Sequence, residues 1–241
     1  MRRDGTLRAS GARAWLGRLP DRLPERLRAA VPLLPALALL ALGLWGFGDL
    51  SEDVLTGDPI VAFDGRVADW LHAHEVGPVT VVMRGVTLLG SALVLIPLAA
   101  AGVAGLLSRR RWAEAGLVLM AAVGAELLTT GLKLGFERQR PFFPDPLATE
   151  ATFSYPSGHA TVSLAFYGAL AVLVVRAYPA RRVLVLAGTG ALVVLIGFSR
   201  LYLGVHFVSD VLAGFSAGLV WLTLCVLAVF GPRLTPRRGV A

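Results

Sequence analysis

The sequence predicts an all-α integral membrane protein, a bundle of six transmembrane helices with an additional interfacial amphipathic helix. Of its 241 residues, 56% are hydrophobic and 16% are charged, which is too apolar a composition for an ordinary soluble domain. The apolar residues fall into six long runs, and arginine clusters separate alternate runs. Long runs favour helices over a β-barrel, because barrel strands are about 10 residues long and alternate in polarity.

Each of the six apolar runs is long enough for a transmembrane helix, which needs roughly 20 mainly apolar residues. They predict one membrane domain at 30–231, between an arginine-rich tail at 1–29 and a basic tail at 232–241. Cys225, the only cysteine, falls in the last run and is expected to pack in the core. The runs cover about residues 30–48, 79–107, 113–135, 159–177, 183–200 and 206–230.

Basic residues accumulate on one side of the predicted bundle. The positive-inside rule makes that side cytoplasmic, with both termini, in a multi-pass protein of the plasma membrane. The net charge of +7 is concentrated at helix ends, which argues against nucleic acid as a partner. Residues 1–29 lack a continuous apolar stretch, so we expect the first span, rather than a cleaved signal peptide, to direct insertion. The clusters comprise eight arginines in residues 1–28, Arg109, Arg110, Arg111, Arg176, Arg181, Arg182, Arg233, Arg237 and Arg238.

The acidic connection between the first two runs predicts an amphipathic helix on the outer surface. His72 and His74 would point to nearly opposite sides of that helix, so we interpret them as surface histidines rather than metal ligands. Arg84 lies near the outer end of the second run, where it either extends to the interface or contacts a lipid headgroup. In the predicted amphipathic helix, the residues that recur at helical spacing are Phe63, Val67, Trp70, Leu71 and His74, and the charged residues beside them are Asp64, Arg66 and Asp69.

Three polar segments lie at helix ends that the predicted topology places on the outer side. Lys133 and Arg140, together with Arg200, would neutralise a phosphoryl group, and the arginines offer planar, bidentate hydrogen bonding. Anchoring at the interface would also explain Lys133 taken by itself. The segments are KLGFERQRP (133–141), YPSGH (155–159) and SRLYLGVHFVSD (199–210).

Ser157 and Gly158 stand where the chain enters the fourth span. There the serine hydroxyl and the first free backbone N–H groups of the helix can face an anion, and glycine permits close approach. Ordinary capping of the helix would also explain this pair. The adjacent His159 favours the anion-binding interpretation.

His206 and Asp210 are four residues apart, so both side chains lie on one face of a helix. The carboxylate can fix the tautomer of the imidazole and leave the other ring nitrogen free to attack phosphorus. A leaving oxygen departs poorly without a proton, and an imidazole can donate one near neutral pH. We therefore expect His206 to be the nucleophile and His159 the general acid.

The spacing of these motifs resembles that of the type 2 phosphatidic acid phosphatase superfamily, over about residues 50–230. Six residues separate Lys133 from Arg140-Pro141, then follow Pro156-Ser157-Gly158-His159, and then Ser199-Arg200 with His206 and Asp210. The resemblance implies that His206 is the nucleophile, that Asp210 is its partner, and that His159 protonates the leaving group and then assists water. It also implies that no metal or other cofactor is required, and that the phosphoryl oxygens are held by Lys133, Arg140, Ser157, Gly158 and Arg200.

The expected activity is metal-independent hydrolysis of a phosphomonoester or diphosphate on a membrane lipid, through a phosphohistidine. Candidate substrates are polyprenyl diphosphate, phosphatidylglycerophosphate and phosphatidic acid. A lipid phosphotransferase would use the same residues, with a hydroxyl in place of water. A soluble vanadium haloperoxidase shares the motifs but not the six spans, and a lipid transporter or scaffold needs neither histidine. The sequence leaves the oligomeric state open.

Overall fold

The computed structural model describes residues 33–57 and 59–234, and the regular structure in those ranges is helical throughout. A π-helical segment, Met120–Gly124, joins the two halves of the third long helix, and a 3₁₀ turn, Pro179–Arg181, precedes another. The helices are α1 (Leu34–Thr56), α2 (Pro59–Ala73), α3 (Gly77–Leu88), α4 (Ala92–Ser108), α5 (Trp112–Leu119), α6 (Ala125–Phe136), α7 (Gly158–Ala177), α8 (Arg182–Tyr202) and α9 (Val208–Leu234).

Six helical stretches in the described ranges are long and apolar enough to cross a bilayer, which confirms the predicted number. They are α1, α3 with α4, α5 with α6, α7, α8 with its preceding turn, and α9. The arginine-rich tail at 1–29 lies outside the described residues, as does most of the basic tail. The predicted domain boundaries therefore stay predictions.

The second span is broken between α3 and α4, at residues 89–91. Tight backbone hydrogen bonds close the end of α3, from Leu89 N to Val86 O and from Gly90 N to Thr87 O, both at 3.0 Å. A Cβ atom at Gly90 would lie 2.6 Å from Ile196 Cγ2 and 3.1 Å from His159 Cδ2. Glycine at the break thus allows the second span to lie directly against His159.

The α9 helix packs closely on α7 because two of its glycines face the backbone of α7. A Cβ atom at Gly214 would lie 2.7 Å from the carbonyl oxygen of Ser157, and one at Gly218 would lie 2.7 Å from that of Thr161. Small residues four apart are typical of close helix contacts in membranes. This contact places the start of α7, which carries Ser157 and His159, beside the start of α9.

The π-helical segment in the third span is held by the last span. The indole Nε1 of Trp221 donates to the carbonyl oxygen of Met120 at 2.9 Å. The indole ring also occupies the place that a Cβ atom on Gly124 would take, so only glycine fits at this position. Trp221 therefore fills the space beside the segment and satisfies one of its carbonyl groups.

A helix occurs where the amphipathic pattern predicts one, as α2, and its position at a membrane surface stays a prediction. Phe63 and Trp70 are exposed, whereas Asp64, Ala68 and Leu71 are buried against the bundle. The sequence pattern places Asp64 among the polar residues that face outward. In the structure Asp64 is buried instead, because its carboxylate bonds to residues that lie far away in sequence.

Three side chains on or near α2, those of Arg84, His72 and His74, have protein partners. Arg84 Nη2 donates to the carbonyl oxygen of Leu147 at 3.0 Å, so its guanidinium holds the connection between α6 and α7. His72 lies 2.7 Å from Glu75 and 3.1 Å from Asp145. His74 stacks on Trp70, with ring centroids 4.5 Å apart.

Candidate active site

The ends of four helices and two connections converge on one region of the bundle. The connections are residues 137–157, between α6 and α7, and residues 203–207, between α8 and α9. A cavity of about 690 Å³ opens there, and the predicted residues that line it are Lys133, Arg140, Gly158, His159 and His206. A second cavity of about 660 Å³ shares Lys133, Arg140 and Gly158 with the first. The structure thus brings these five residues together.

His206 and Asp210 lie side by side at the start of α9, and both are buried. Nδ1 of His206 is 3.4 Å from Oδ2 of Asp210. Arg140 Nη1 lies 3.1 Å from the opposite ring nitrogen, Nε2. Because a guanidinium only donates hydrogen bonds, Nε2 must accept, which places the ring proton on Nδ1, toward the carboxylate. The lone pair of Nε2 then points to the side that carries the cations.

The surroundings of His206 favour its neutral form. Burial, helped by the nearby cations Arg140 and Arg200, lowers the pKa of His206 to about 4, although the hydrogen bond to Asp210 opposes the shift. A neutral imidazole retains the lone pair that a nucleophile needs. The His206 ring therefore keeps its lone pair well below neutral pH.

Asp210 is held by more donors than the imidazole alone. Its Oδ2 atom accepts a hydrogen bond from the backbone N–H of Phe207 at 2.8 Å and a short one from the hydroxyl of Ser154. The Ser154 hydroxyl also lies 3.4 Å from Nδ1 of His206. The carboxylate is thus fixed against the ring, and Ser154 is a member of the site that no motif indicates.

Lys133 and Arg140 are held by hydrogen bonds to the two connections. The ammonium of Lys133 donates to the Thr152 hydroxyl at 2.9 Å. Arg140 donates from Nε to the Thr152 carbonyl oxygen and from Nη1 to the Val205 carbonyl oxygen, both at 2.6 Å. Burial lowers the pKa of Arg140, which means that the cation is partly desolvated and attracts an anion more strongly than it would in water.

Arg200 and Ser157 bring buried donors to the same region. Arg200 is 3% exposed, and Nη1 donates to the Thr87 hydroxyl at 2.7 Å while Nη2 pairs with the carboxylate of Glu150. Its Nε atom and the Ser157 hydroxyl are buried without a hydrogen-bond partner among the described residues. Buried polar groups are nearly always paired, so these two donors indicate a place for an anion.

The backbone links the two histidine-bearing helices directly. The N–H of Ser157, the residue before α7, donates to the carbonyl oxygen of Asp210 at 2.9 Å. Gly158 begins α7 directly after Ser157, and the first N–H groups of the helix have no partners within it. An anion near the two histidines would meet this positive end of the helix.

Two further charged residues, Asp64 and Arg138, lie behind His206 and were not indicated as site residues by the sequence. Arg138 stands within the KLGFERQRP segment, two residues before Arg140, and it bonds Oδ1 of Asp210 at 2.6 Å. Asp64 on α2 bonds Arg138 at 2.8 Å. Arg138 could have been considered from its position in the motif, whereas nothing local distinguishes Asp64 from other acidic residues of the connection.

Comparison with known proteins identifies relatives of the membrane bundle. A family model described as the PAP2 superfamily matches residues 114–233. Phosphatidylglycerophosphatase B of Bacillus subtilis strain 168 is 41% identical over 143 residues, which are 58% of this chain and 70% of that protein. A lipid A 1-phosphatase of Rhizobium johnstonii is 35% identical over 113 residues, 43% of each chain.

Two solved structures share the fold. The crystal structure of a transmembrane PAP2 type phosphatidylglycerolphosphate phosphatase from Bacillus subtilis superposes with a TM-score of 0.70 at 31% identity, covering 84% of this chain and 98% of that one. The structure of Aquifex aeolicus LpxE has a TM-score of 0.55 at 22% identity, covering 68% and 94%. The second likeness shows the fold alone.

The fold, the site and these relatives define a class of protein, the multi-pass membrane phosphatases that act on lipids. Within that class the chain belongs to the PAP2 superfamily, and it is a phosphoric monoester hydrolase acting on membrane lipids. This confirms the resemblance and the enzyme class predicted from the motifs. A soluble haloperoxidase does not fit the six spans.

Proposed function

We propose that this protein hydrolyses a phosphomonoester or diphosphate of a membrane lipid without a metal ion, through a phosphohistidine on Nε2 of His206. The observation that carries the proposal is the placement of His206, which stands between the Asp210 carboxylate at 3.4 Å and the Arg140 guanidinium at 3.1 Å. The same cavity contains His159 and Lys133. A nucleophile, a proton donor and cations thus face a single space.

An apolar groove continues from these polar residues and suits a lipid tail. We use this name for the part of the 690 Å³ cavity that extends between α4 and the third span. Several large apolar side chains of the apolar groove are exposed on the outside of the bundle, which gives a lipid tail a lateral entrance from the bilayer. Their exposed fractions are 66% for Ile96, 51% for Leu119, 51% for Val123 and 68% for Leu127. A tail in the apolar groove would place its phosphate beside His206.

The first half of the proposed reaction transfers the phosphoryl group to the enzyme. Nε2 of His206 attacks phosphorus, the bond from phosphorus to the leaving oxygen breaks, and His159 gives that oxygen a proton. The positive charge that develops on the His206 ring is stabilised by Asp210, and the ring proton on Nδ1 stays in place. The products of this half are a phosphohistidine and the lipid with one phosphoryl group fewer.

The second half restores the enzyme. His159, now neutral, takes a proton from water as the water oxygen attacks phosphorus, the bond between phosphorus and Nε2 breaks, and inorganic phosphate leaves. In both halves negative charge spreads over the equatorial phosphoryl oxygens. Preorganised donors stabilise that charge, and those proposed here are Lys133, Arg140, Arg200, Ser157 and the Gly158 N–H.

The substrate that the relatives favour is phosphatidylglycerophosphate, because the name of the Bacillus subtilis protein specifies it. Polyprenyl diphosphate and phosphatidic acid remain candidates with the same chemistry. We also propose that the site faces the extracytoplasmic side. Its residues lie at the ends of α6 and α8 and at the starts of α7 and α9, whereas Arg109 to Arg111, Arg176, Arg181 and Arg182 lie at the opposite helix ends.

The experiment is phosphate release from the three candidate lipids in detergent, with EDTA present throughout. We expect His206→Ala and His159→Ala to lose at least about 10³-fold in kcat, since both act directly on the reacting atoms. His74→Ala is the matched control, because its ring stacks on Trp70 outside the cavity. Activity abolished by EDTA, or retained by His206→Ala, would overturn the proposal.

A second measurement tests the intermediate and the acceptor. Lipid labelled with ³²P should leave label on the unaltered enzyme after a base quench, in an acid-labile form that maps to the peptide containing His206. Label on another residue would contradict the assignment. Addition of glycerol or a lipid alcohol distinguishes hydrolysis from phosphotransfer, because a phosphotransferase would form the phosphorylated alcohol in place of inorganic phosphate.

A further inference from the structure

A line of charged side chains extends behind His206, away from the 690 Å³ cavity, and one of them, Arg138, also borders the 660 Å³ cavity. Asp64 on α2 is 1% exposed, and Asp210 at the start of α9 is fully buried. Arg138 lies between them, with Nη2 at 2.8 Å from Oδ2 of Asp64 and Nη1 at 2.6 Å from Oδ1 of Asp210. A single guanidinium therefore bridges two carboxylates that come from opposite ends of the described chain.

The remaining hydrogen bonds of this group tie it to α9. The backbone N–H of Ser209 donates to Oδ1 of Asp64 at 3.0 Å, and the Ser209 hydroxyl donates to Oδ2. Nη1 of Arg138 also donates to the Ser209 hydroxyl at 2.7 Å, and its guanidinium lies 4.5 Å over the ring of Phe207. The group is well paired, and its position is set by Phe207 and Ser209, which lie just before Asp210 in the chain.

Buried ions are costly unless they are paired, so the presence of Asp64 requires an explanation. Arg138 and Asp210 alone would already be a neutral pair. Such a pair would hold the Asp210 carboxylate in place, but it would offer little net negative charge to a positively charged ring beside it. With Asp64 included, the three groups together carry one net negative charge next to His206.

We propose that Asp64 and Arg138 are positioning residues for the His206 nucleophile. Arg138 orients the Asp210 carboxylate through its Oδ1 atom, and Asp64 restores the negative charge that Arg138 would otherwise cancel. The group can then stabilise the positive charge on His206 as the bond to phosphorus forms. This inference rests on the proposed function in taking His206 as the nucleophile, and neither residue lines the 690 Å³ cavity that we propose for the substrate.

Other charged groups also face His206, and the test leaves them unchanged. They come from separate elements: Arg140 from the connection before α7, Arg200 from α8, Lys133 from α6 and His159 from α7. All four are basic, so they oppose a positive charge on the ring. The carboxylates of Glu126 and Glu150 also line the 690 Å³ cavity, and Glu150 is paired with Arg200. Asp210 is the carboxylate beside the His206 ring, and Arg138 and Asp64 extend behind it.

The test compares Asp64→Asn, Arg138→Gln and the double variant, with Asp69→Asn and Arg66→Gln as controls. Both controls remove the same kind of charge from exposed positions of α2. We expect Asp64→Asn to lower kcat at least about tenfold and to change KM little, because the substrate is not contacted. The same should hold for Arg138→Gln. The controls should resemble the unaltered protein.

The pH profile separates positioning from a purely structural role. Asp64→Asn removes a negative charge near His206, so the acid limb of the kcat profile should move to lower pH. Arg138→Gln removes a positive charge, so the same limb should move to higher pH. In the double variant the net charge equals that of the unaltered protein, so the acid limb should return to its original pH. The kcat of the double variant should also be higher than the value obtained by multiplying the two single reductions.

The outcomes are distinct. Shifts in the same direction in both single variants, or unmoved limbs in folded variants, would overturn the inference. Asp64→Glu keeps the negative charge, so the acid limb of its kcat profile should stay at the pH of the unaltered protein. If Arg138→Gln fails to fold, Arg138→Lys, which keeps the positive charge, should likewise leave the limb in place. If His206→Ala is inactive while Asp64→Asn behaves as the unaltered protein, only this inference fails. If His206→Ala is active, the proposed function itself fails.

Discussion

The contact between α9 and α7 at Gly214 leads to a sharp prediction for the variant Gly214→Ala. The added Cβ atom would lie 2.7 Å from the Ser157 carbonyl oxygen and 2.8 Å from Cβ of Ala160. Both neighbours belong to the backbone or start at it, so no flexible side chain can move aside. The two helices must separate by several tenths of an ångström, and overpacking of this kind costs about 1–3 kcal/mol.

The same displacement should affect catalysis more than stability. The N–H of Ser157 bonds the Asp210 carbonyl oxygen at 2.9 Å, so a shift of α9 against α7 moves His206 relative to His159 and Ser157. Misplacement of reacting groups by about 1 Å costs roughly 10²-fold in rate, and a smaller shift should cost about tenfold or more. We expect kcat for phosphate release to fall by that factor.

The control for this prediction is Gly188→Ala on α8, where an added Cβ atom has nothing within 4 Å. That substitution should leave kcat unchanged and should raise stability slightly, because alanine favours a helix over glycine by about 0.5–1 kcal/mol. Thermal unfolding in detergent and phosphate release are measured on the same preparations. Unaltered kcat and melting temperature for Gly214→Ala would refute the packing argument.

Three further predictions concern the site itself. Activity should persist at pH 5 to 6, since burial lowers the pKa of His206 to about 4 and the neutral ring is the proposed nucleophile. The loss of kcat/KM, which reports the substrate-free enzyme, should come as pH falls through that value. A limb near pH 6.5 in the kcat/KM profile, after correction for ionisation of the substrate, would contradict this. Arg200→Lys should lower kcat/KM by about 10²-fold, because an ammonium keeps the charge but cannot bond Thr87 and a phosphoryl oxygen in one plane. Full activity of this variant on the preferred lipid would argue against a role of Arg200 in phosphate binding. Ser154→Ala removes one hydrogen-bond donor to Asp210. It should lower kcat by about tenfold, which corresponds to about 1.4 kcal/mol, with no effect on KM. A rise in KM alone would place Ser154 in substrate binding instead.

Hydropathy and motif spacing together predicted the six spans and the residues that meet at the cavity. Both signals are local. A run of apolar residues indicates a span whatever its neighbours are, and each motif keeps its residues within one segment. The convergence of Lys133, His159 and His206 follows because alternate helix ends must lie on the same side.

Features that depend on contacts between distant segments could not be predicted in this way. Asp64 lies in an acidic connection where nothing local marks it, and its partners Arg138 and Ser209 are 74 and 145 positions away. The break at Gly90 depends on close approach of His159 and Ile196. Ser154 precedes the YPSGH segment by one residue, and only the fold shows that its hydroxyl meets Asp210.

The π-helical segment Met120–Gly124 sets the angular phase between the two halves of the third span. A π-helical turn accommodates one extra residue, and in an α-helix each residue turns the chain by about 100°. Shortening the segment by one residue would swing α6 around its axis by about that angle relative to α5. Lys133 would then leave the cavity while Leu119 stayed on the apolar groove, so this one irregular turn keeps the tail-facing and phosphate-facing surfaces of the helix in register.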